Sequence, residues 1–157
     1  MPLSETLTIR DGRDDDREFL WDLGRRTVAK SISELRAAPL VLAQTCYERL
    51  LEFVEAQSHV VLVAERRSQR VGFLLLLDAL PDEVTGLPQG FIAYMAVEPR
   101  ARQTGVGAAL LRSAEAIARK RGLPFMAMMV TEDNGAARAL YARAGYTTER
   151  RLLCKPL

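Results

Sequence analysis

The chain is poor in the residues that build common redox and metal sites: two cysteines, Cys46 and Cys154, and one histidine, His59, in 157 residues. The cysteines lie far apart with no paired spacing, which suggests neither a zinc site nor a thioredoxin-like redox pair. Their thiols are expected to be reduced, as in a cytoplasmic protein. Aromatic residues make up only 6% of the chain and form no stacking pattern, and a net charge of +2 is too small to argue for phosphate-backbone binding. Nucleic acid is therefore not the expected partner. No apolar run approaches the ~20 residues of a membrane helix, and the N-terminal segment MPLSETLTIRDGRDDD turns acidic without an apolar leader-like stretch. Neither a membrane nor export is expected.

What is present is the composition of one globular domain over 1–157, 48% hydrophobic and 27% charged, long enough for a single core and too short for two ordinary ones. Charge is unevenly placed. Asp11, Asp14, Asp15, Asp16 and Glu18 cluster early, whereas arginines accumulate after residue 100, so the C-terminal half is suited to meet an anion. The acidic run reads as the solvated start of a helix through Phe19, Leu20, Leu23 and Val28, its carboxylates opposing the helix dipole. After Pro39, Leu42, Cys46, Leu50, Phe53 and Val54 recur near helical spacing and predict a second helix. HVVLVAE and RVGFLLLLDA, joined by RRSQR, predict a hairpin whose second strand is buried on both faces. FIAYMAV is a further strand. A helix follows from Gly107 to Arg121, stopped by Gly122 and Pro124; FMAMMV reads as a buried strand. NGAARALYARAGY is a short helix capped by Asn134 and ended by Gly145, and YTTERRLLCKPL closes as a strand. The order β, α, α, β, β, β, α, β, α, β is an α+β plan with a mixed sheet.

The stretch richest in chemistry is VEPRARQTGVGAALL, residues 97–111. Glycines between a strand and a helix expose backbone N–H groups beside the positive end of the helix dipole, so phosphate is the natural guest. A P-loop needs Lys and then Ser or Thr after its second glycine, and GVGAALL has neither. The dinucleotide fingerprint fails because Leu110 occupies its third glycine position and seven residues separate the strand from Gly105. What remains is Arg102-Gln103-Thr104-Gly105-Val106-Gly107, an Arg-x-x-Gly-x-Gly loop that follows a Met-Ala-Val-x-Pro strand end and precedes a long amphipathic helix. About thirty residues on stands Asn-x-x-Ala-x-x-x-Tyr-x-x-x-Gly-Tyr. With both motifs in this order, the chain over 71–146 resembles the GCN5-related N-acetyltransferase (GNAT) family.

The resemblance implies a mostly antiparallel sheet splayed at its central strands, with helices on both faces. It also implies acetyl-CoA as donor and an amine, of a small molecule or a protein, as acceptor. Carried onto matching positions, Met95, Ala96 and Val97 would run beside the pantetheine arm, with the Val97 N–H as oxyanion donor. Arg102, Gln103, Thr104, Gly105, Val106, Gly107 and Ala108 would wrap the pyrophosphate. Asn134, Ala137 and Tyr141 would share the face of the last helix that meets the cofactor. Tyr141 would protonate or hydrogen-bond the departing thiolate. Tyr94, Glu65 and Glu98 are candidates for a general base beside a water relay. His59, Glu132 and Asp133 read as structural or surface groups, as do Asp82 and Glu83 in the loop 81–90. Arg138 and Arg143 are candidates for the adenosine 3′-phosphate. The implied family is often dimeric, and the sequence fixes no oligomeric state. The competing reading is a CoA-binding module without turnover.

Overall fold

The computed structural model describes residues 6–157; residues 1–5, part of the N-terminal segment read above for a leader, lie outside the described residues. The elements are β1 (Leu7–Asp11), α1 (Arg17–Thr27), α2 (Leu40–Glu55), β2 (His59–Arg66), β3 (Gln69–Leu77), β4 (Gly90–Val97), α3 (Val106–Lys120), β5 (Met126–Met128) and α4 (Gly135–Arg143). The sheet runs in sequence order from β1 to β5, antiparallel except for the β4–β5 pair. This is the expected α+β plan with a mostly antiparallel sheet. None of the helices described is long and apolar enough to cross a membrane.

The apolar run in β3 decides the layering. Phe73, Leu75 and Leu77 face α1 and α2 with Leu20, Leu23, Tyr47, Leu51 and Val54, while Leu74 and Leu76 face α3 with Leu110, Leu111 and Ala114. Alternate residues of a strand point to opposite faces, so an uninterrupted apolar strand is stable only between two helical layers. Each such side chain contributes about 1.5–3 kcal/mol on full burial. The β2–β3 hairpin turns through Arg67 and Ser68, both left-handed, at φ 51° and 61°. Such a two-residue turn matches the twist of the strands it joins.

One expectation is sharpened and two are corrected. On α2 the buried face is Ala43, Tyr47, Leu51 and Val54; of the residues picked out by spacing, Val54 is buried and Leu50 packs against the core, while Cys46 is exposed and Leu42 and Phe53 are 53% and 47% exposed. Both sets lie on a helical stripe. The choice is made by α1, where Gly24 has no Cβ and the Tyr47 ring fills the space that one would occupy; the Tyr47 hydroxyl then donates to the Leu20 carbonyl at 2.6 Å. FMAMMV shrinks to the three half-buried residues of β5, with Phe125 and Met129 exposed, because β5 pairs with one neighbour only. The expected last strand does not form. Residues 147–157 have no regular structure and Leu152 and Leu153 are exposed; adjacent leucines cannot both face the core side of a strand.

The acidic run is solvated only in part. Asp14 and Asp15 are exposed, but Asp16 is 1% exposed and takes Arg10 through Oδ2 at 2.7 Å, Arg70 through Oδ1 at 2.6 Å and the Arg13 backbone N–H at 2.7 Å. These bonds, that of Arg10 foremost, hold its carboxyl well below the usual carboxylate range against the opposing effect of burial. A depressed pKa gives stability that is present above the unfolded value and lost as pH falls. Asp16→Asn is therefore expected to lower unfolding free energy by about 2 kcal/mol at pH 7. That deficit should shrink in denaturant titrations run progressively below pH ~4.

Candidate active site

β4 carries the site because its backbone is only half used. Its pairing with β3 skips from Leu75↔Tyr94 to Leu76↔Ile92, which makes Ala93 an extra, bulged residue. A bulge sends neighbouring side chains to one face, and Ala93 and Tyr94 both pack toward α1 and α2. On its other edge β4 pairs with β5 only through Ile92↔Met128. Beyond that point the strands part, and residues 93–97 of β4 have no strand beside them. The Glu98 N–H donates to the Val71 carbonyl on the β3 side at 2.8 Å. Peptide N–H groups alternate along a strand, so those of Val97 and Met95 point into the opening.

The glycine loop closes one end of this opening. Pro99–Ala101 form a single turn with Ala101 buried, after which Gln103 and Gly105 adopt left-handed φ of 59° and 87° and α3 starts at Val106. Left-handed backbone costs a non-glycine residue about 1–2 kcal/mol, and the turn places successive N–H groups at the α3 N-terminus, the arrangement that binds anions. A Cβ built on Gly105 meets no protein atom within 4 Å, so the space above it is open. Gly72 on β3 lets the loop sit this low. A Cβ there would lie 2.9 Å from the Ala96 carbonyl oxygen and 3.1 Å from Val106 Cγ1.

α4 supplies the facing wall. Asn134 caps it, its Oδ1 accepting from the Ala137 N–H at 3.2 Å. Leu140 and Tyr141 pack on the α3 side of the sheet with Met95 and Val97, and Leu140 Cδ2 lies 2.8 Å from where a Cβ on Gly107 would stand. The Tyr141 ring meets Tyr146 edge to face, with centroids 6.2 Å apart, and the Tyr146 hydroxyl donates to Glu115 Oε1 on α3 at 3.0 Å. Burial raises the Tyr141 phenol above its usual pKa, with a smaller push from Tyr94. It is therefore a proton donor at any neutral pH.

The structure thus packs Met95, Val97, Val106, Leu140 and Tyr141 on the α3 side of the sheet, while the Ala96 side chain packs on the other face with α1 and α2 and Asn134 and Ala137 form the first turn of α4. It does not bring every candidate base to the groove in usable form. Glu65 Oε1 accepts from Arg10 at 2.9 and 2.6 Å, in the same ion cluster as Asp16. Both oxygens of Glu98 accept from Arg26, at 3.2 and 2.8 Å. Tyr94 bonds the Thr27 hydroxyl at 2.9 Å, and burial raises its pKa. His59 sits at 2.8 Å from the Gln57 carbonyl on the rim of a cavity of about 650 Å³ with Asp11, Arg13 and Glu55, at the opposite end of the sheet. Asp82 organises its own loop by accepting from the Thr85 hydroxyl and N–H and from Arg150, which hold it at about 2. Glu83 is exposed. Arg138 pairs with Glu132 at 3.4 Å, Asp133 accepts from the Glu34 N–H at 3.0 Å, and Arg143 is exposed. Among the described residues no three His, Cys, Asp or Glu side chains stand together as a metal set.

Thr27, Glu115 and Arg66 belong to no spaced motif and were missed as supports of the groove, and Tyr146, which closes the second motif, was given no role. The Thr131 hydroxyl, which donates to the Ser31 carbonyl at 2.8 Å and ties the α1–α2 connection to the loop before α4, was also missed.

The family model described as "Acetyltransferase (GNAT) family" matches residues 29–146. No curated protein sequence matches the chain. Among solved structures, a candidate acetyl transferase from Pyrococcus furiosus is 28% identical with a TM-score of 0.80, covering 97% of this chain and all of the other. Aminoglycoside N-acetyltransferase AAC(6′)-Iy in complex with CoA is 17% identical, TM-score 0.71, covering 100% of this chain and 98% of its own. A ribosomal-protein-alanine N-acetyltransferase from Brucella melitensis biovar Abortus 2308 is 17% identical, TM-score 0.70, covering 97% and 99%. The last two likenesses show the fold.

Proposed function

The chain belongs to the acetyltransferase (GNAT) family, and from that premise we propose that it moves an acetyl group from acetyl-CoA directly to a primary amine, as a single domain over 1–157. The observation that supports this most is the unpaired edge of β4 beyond Ile92, where the groove is bounded by a left-handed glycine turn at one end and Tyr141 on the wall. The opening fits a pantetheine arm, and the open space over Gly105 fits a pyrophosphate that a side chain would exclude. Bound there, acetyl-CoA supplies the activated acyl group.

In this reading the Val97 N–H receives the thioester carbonyl oxygen as negative charge develops, a donor worth roughly 10²–10³ in rate. Backbone N–H groups from Arg102 to Ala108 hold the pyrophosphate, with the Arg102 charge added. The protonated Tyr141 phenol donates to the departing thiolate. Proton removal from the amine is the weak part of the machinery, because Glu65 and Glu98 are committed to arginines and the Tyr94 phenol is kept protonated by burial. A lysine-like amine of pKa ~10.4 costs roughly 4–5 kcal/mol to neutralise at pH 7, an α-amine of pKa ~8 far less. The site therefore suits an acceptor of low amine pKa whose proton leaves through water. Thiol release from acetyl-CoA, followed with a panel of α-amino and ε-amino compounds and peptides, tests this. Turnover is expected to favour α-amines over lysine side chains. Acetyl-CoA binding with no amine raising thiol release above hydrolysis would make the chain a CoA-binding module instead.

A further inference from the structure

The glycine loop is held from behind by a residue outside both motifs. Arg66, the last residue of β2, donates through Nη1 to Thr104 Oγ1 at 2.9 Å and through Nη2 to the Thr104 carbonyl at 3.2 Å. The Thr104 hydroxyl in turn donates to the Ala101 carbonyl at 2.6 Å. Both roles of that hydroxyl, acceptor and donor, are thus in use inside the loop. A second tie runs from the same hairpin, Arg100 Nη1 to Gln69 Oε1 at 3.0 Å.

Building on the reading of the loop as a pyrophosphate cradle, we infer that Arg66 is a positioning residue for acetyl-CoA, acting through Thr104. The peptide between Thr104 and Gly105 is planar and trans, so its C=O and N–H point in opposite directions. Arg66 draws the Thr104 carbonyl toward the β2–β3 hairpin, and this turns the Gly105 N–H away from the hairpin. The guanidinium, bonded twice to Thr104, also sets a positive charge beside the loop. Arginine suits the task because its planar fork meets a hydroxyl and a carbonyl of one residue together, which an ammonium does not. Its Nε is buried without a hydrogen-bond partner among the described residues, so the side chain's remaining polar contacts are those to Thr104. The loop reaches its left-handed turn at Gln103, a non-glycine residue, immediately before the braced Thr104.

Calorimetric titration with acetyl-CoA tests this on the whole chain, comparing wild type with Arg66→Met, Arg66→Lys, Thr104→Val and the Arg66→Met/Thr104→Val double variant. Arg66→Met and Thr104→Val are each expected to raise Kd about five- to ten-fold, with Arg66→Lys between wild type and Arg66→Met. The double variant is expected to bind no more weakly than the worse single, because both remove one device. With an accepted amine, the rise in KM for acetyl-CoA should exceed any fall in kcat. Thr104→Val lies on an exposed loop, which keeps the test informative should Arg66→Met melt early. Wild-type Kd in both single variants, or fully additive losses in the double, overturns the role of Arg66. Absence of acetyl-CoA binding by the wild type overturns the pyrophosphate reading itself.

Discussion

Tyr141→Phe is expected to lower kcat about 10²–10⁴-fold, the range of a positioned proton donor, while Kd for acetyl-CoA changes less than about three-fold. The substitution keeps the ring that packs edge to face on Tyr146 and against the core under α3, and removes only the hydroxyl. It isolates proton donation from packing. The pH profile carries the sign. Burial places the Tyr141 pKa above its ordinary 10, so the donor form persists through neutral pH and above. The wild-type kcat should therefore show no fall assignable to this phenol between about pH 6 and 9. A lower kcat for Tyr141→Phe that recovers with thioesters of more acidic thiols would locate the loss at the leaving group.

Gly105→Glu is expected to weaken acetyl-CoA binding at least about 100-fold by three additive causes. The backbone at φ 87° is strained for any L side chain, the new atoms enter the open space over the loop, and a carboxylate is set at a helix N-terminus that would otherwise receive phosphate. No protein atom lies within 4 Å of the added Cβ, so the fold is not crowded. The melting temperature should fall by only a few degrees, corresponding to about 1–2 kcal/mol of backbone strain. Calorimetry and a thermal melt on the same sample separate the two effects.

The parts of this site that were legible in the sequence are those made by neighbours along the chain. A glycine turn ahead of an amphipathic helix, and an Asn and a Tyr seven residues apart on a helix face, are local arrangements that spacing alone encodes. The apolar β3, buried on both faces, was legible for the same reason. Where two readings shared one pattern, distant contacts decided. The face of α2 was set by Gly24 on α1 making room for Tyr47. Asp16 reads as one of several helix-start acids until Arg70, far along the chain, is seen to reach it. The two candidate glutamates are tied to Arg10 and Arg26, partners that no spacing rule connects to them. Arg66 belongs with these, since a strand-end arginine says nothing until the loop arrives beside it.

The splay of β4 from β5 makes the room for the cofactor, and a crystal structure with acetyl-CoA bound tests that reading. The pantetheine arm is expected along the free edge of β4 at residues 93–97, with the thioester carbonyl on the Val97 N–H, the sulfur beside Tyr141 and the pyrophosphate over Gly105. A cofactor found instead in the cavity lined by Asp11, Arg13 and His59, or a groove left empty at saturating acetyl-CoA, would contradict it.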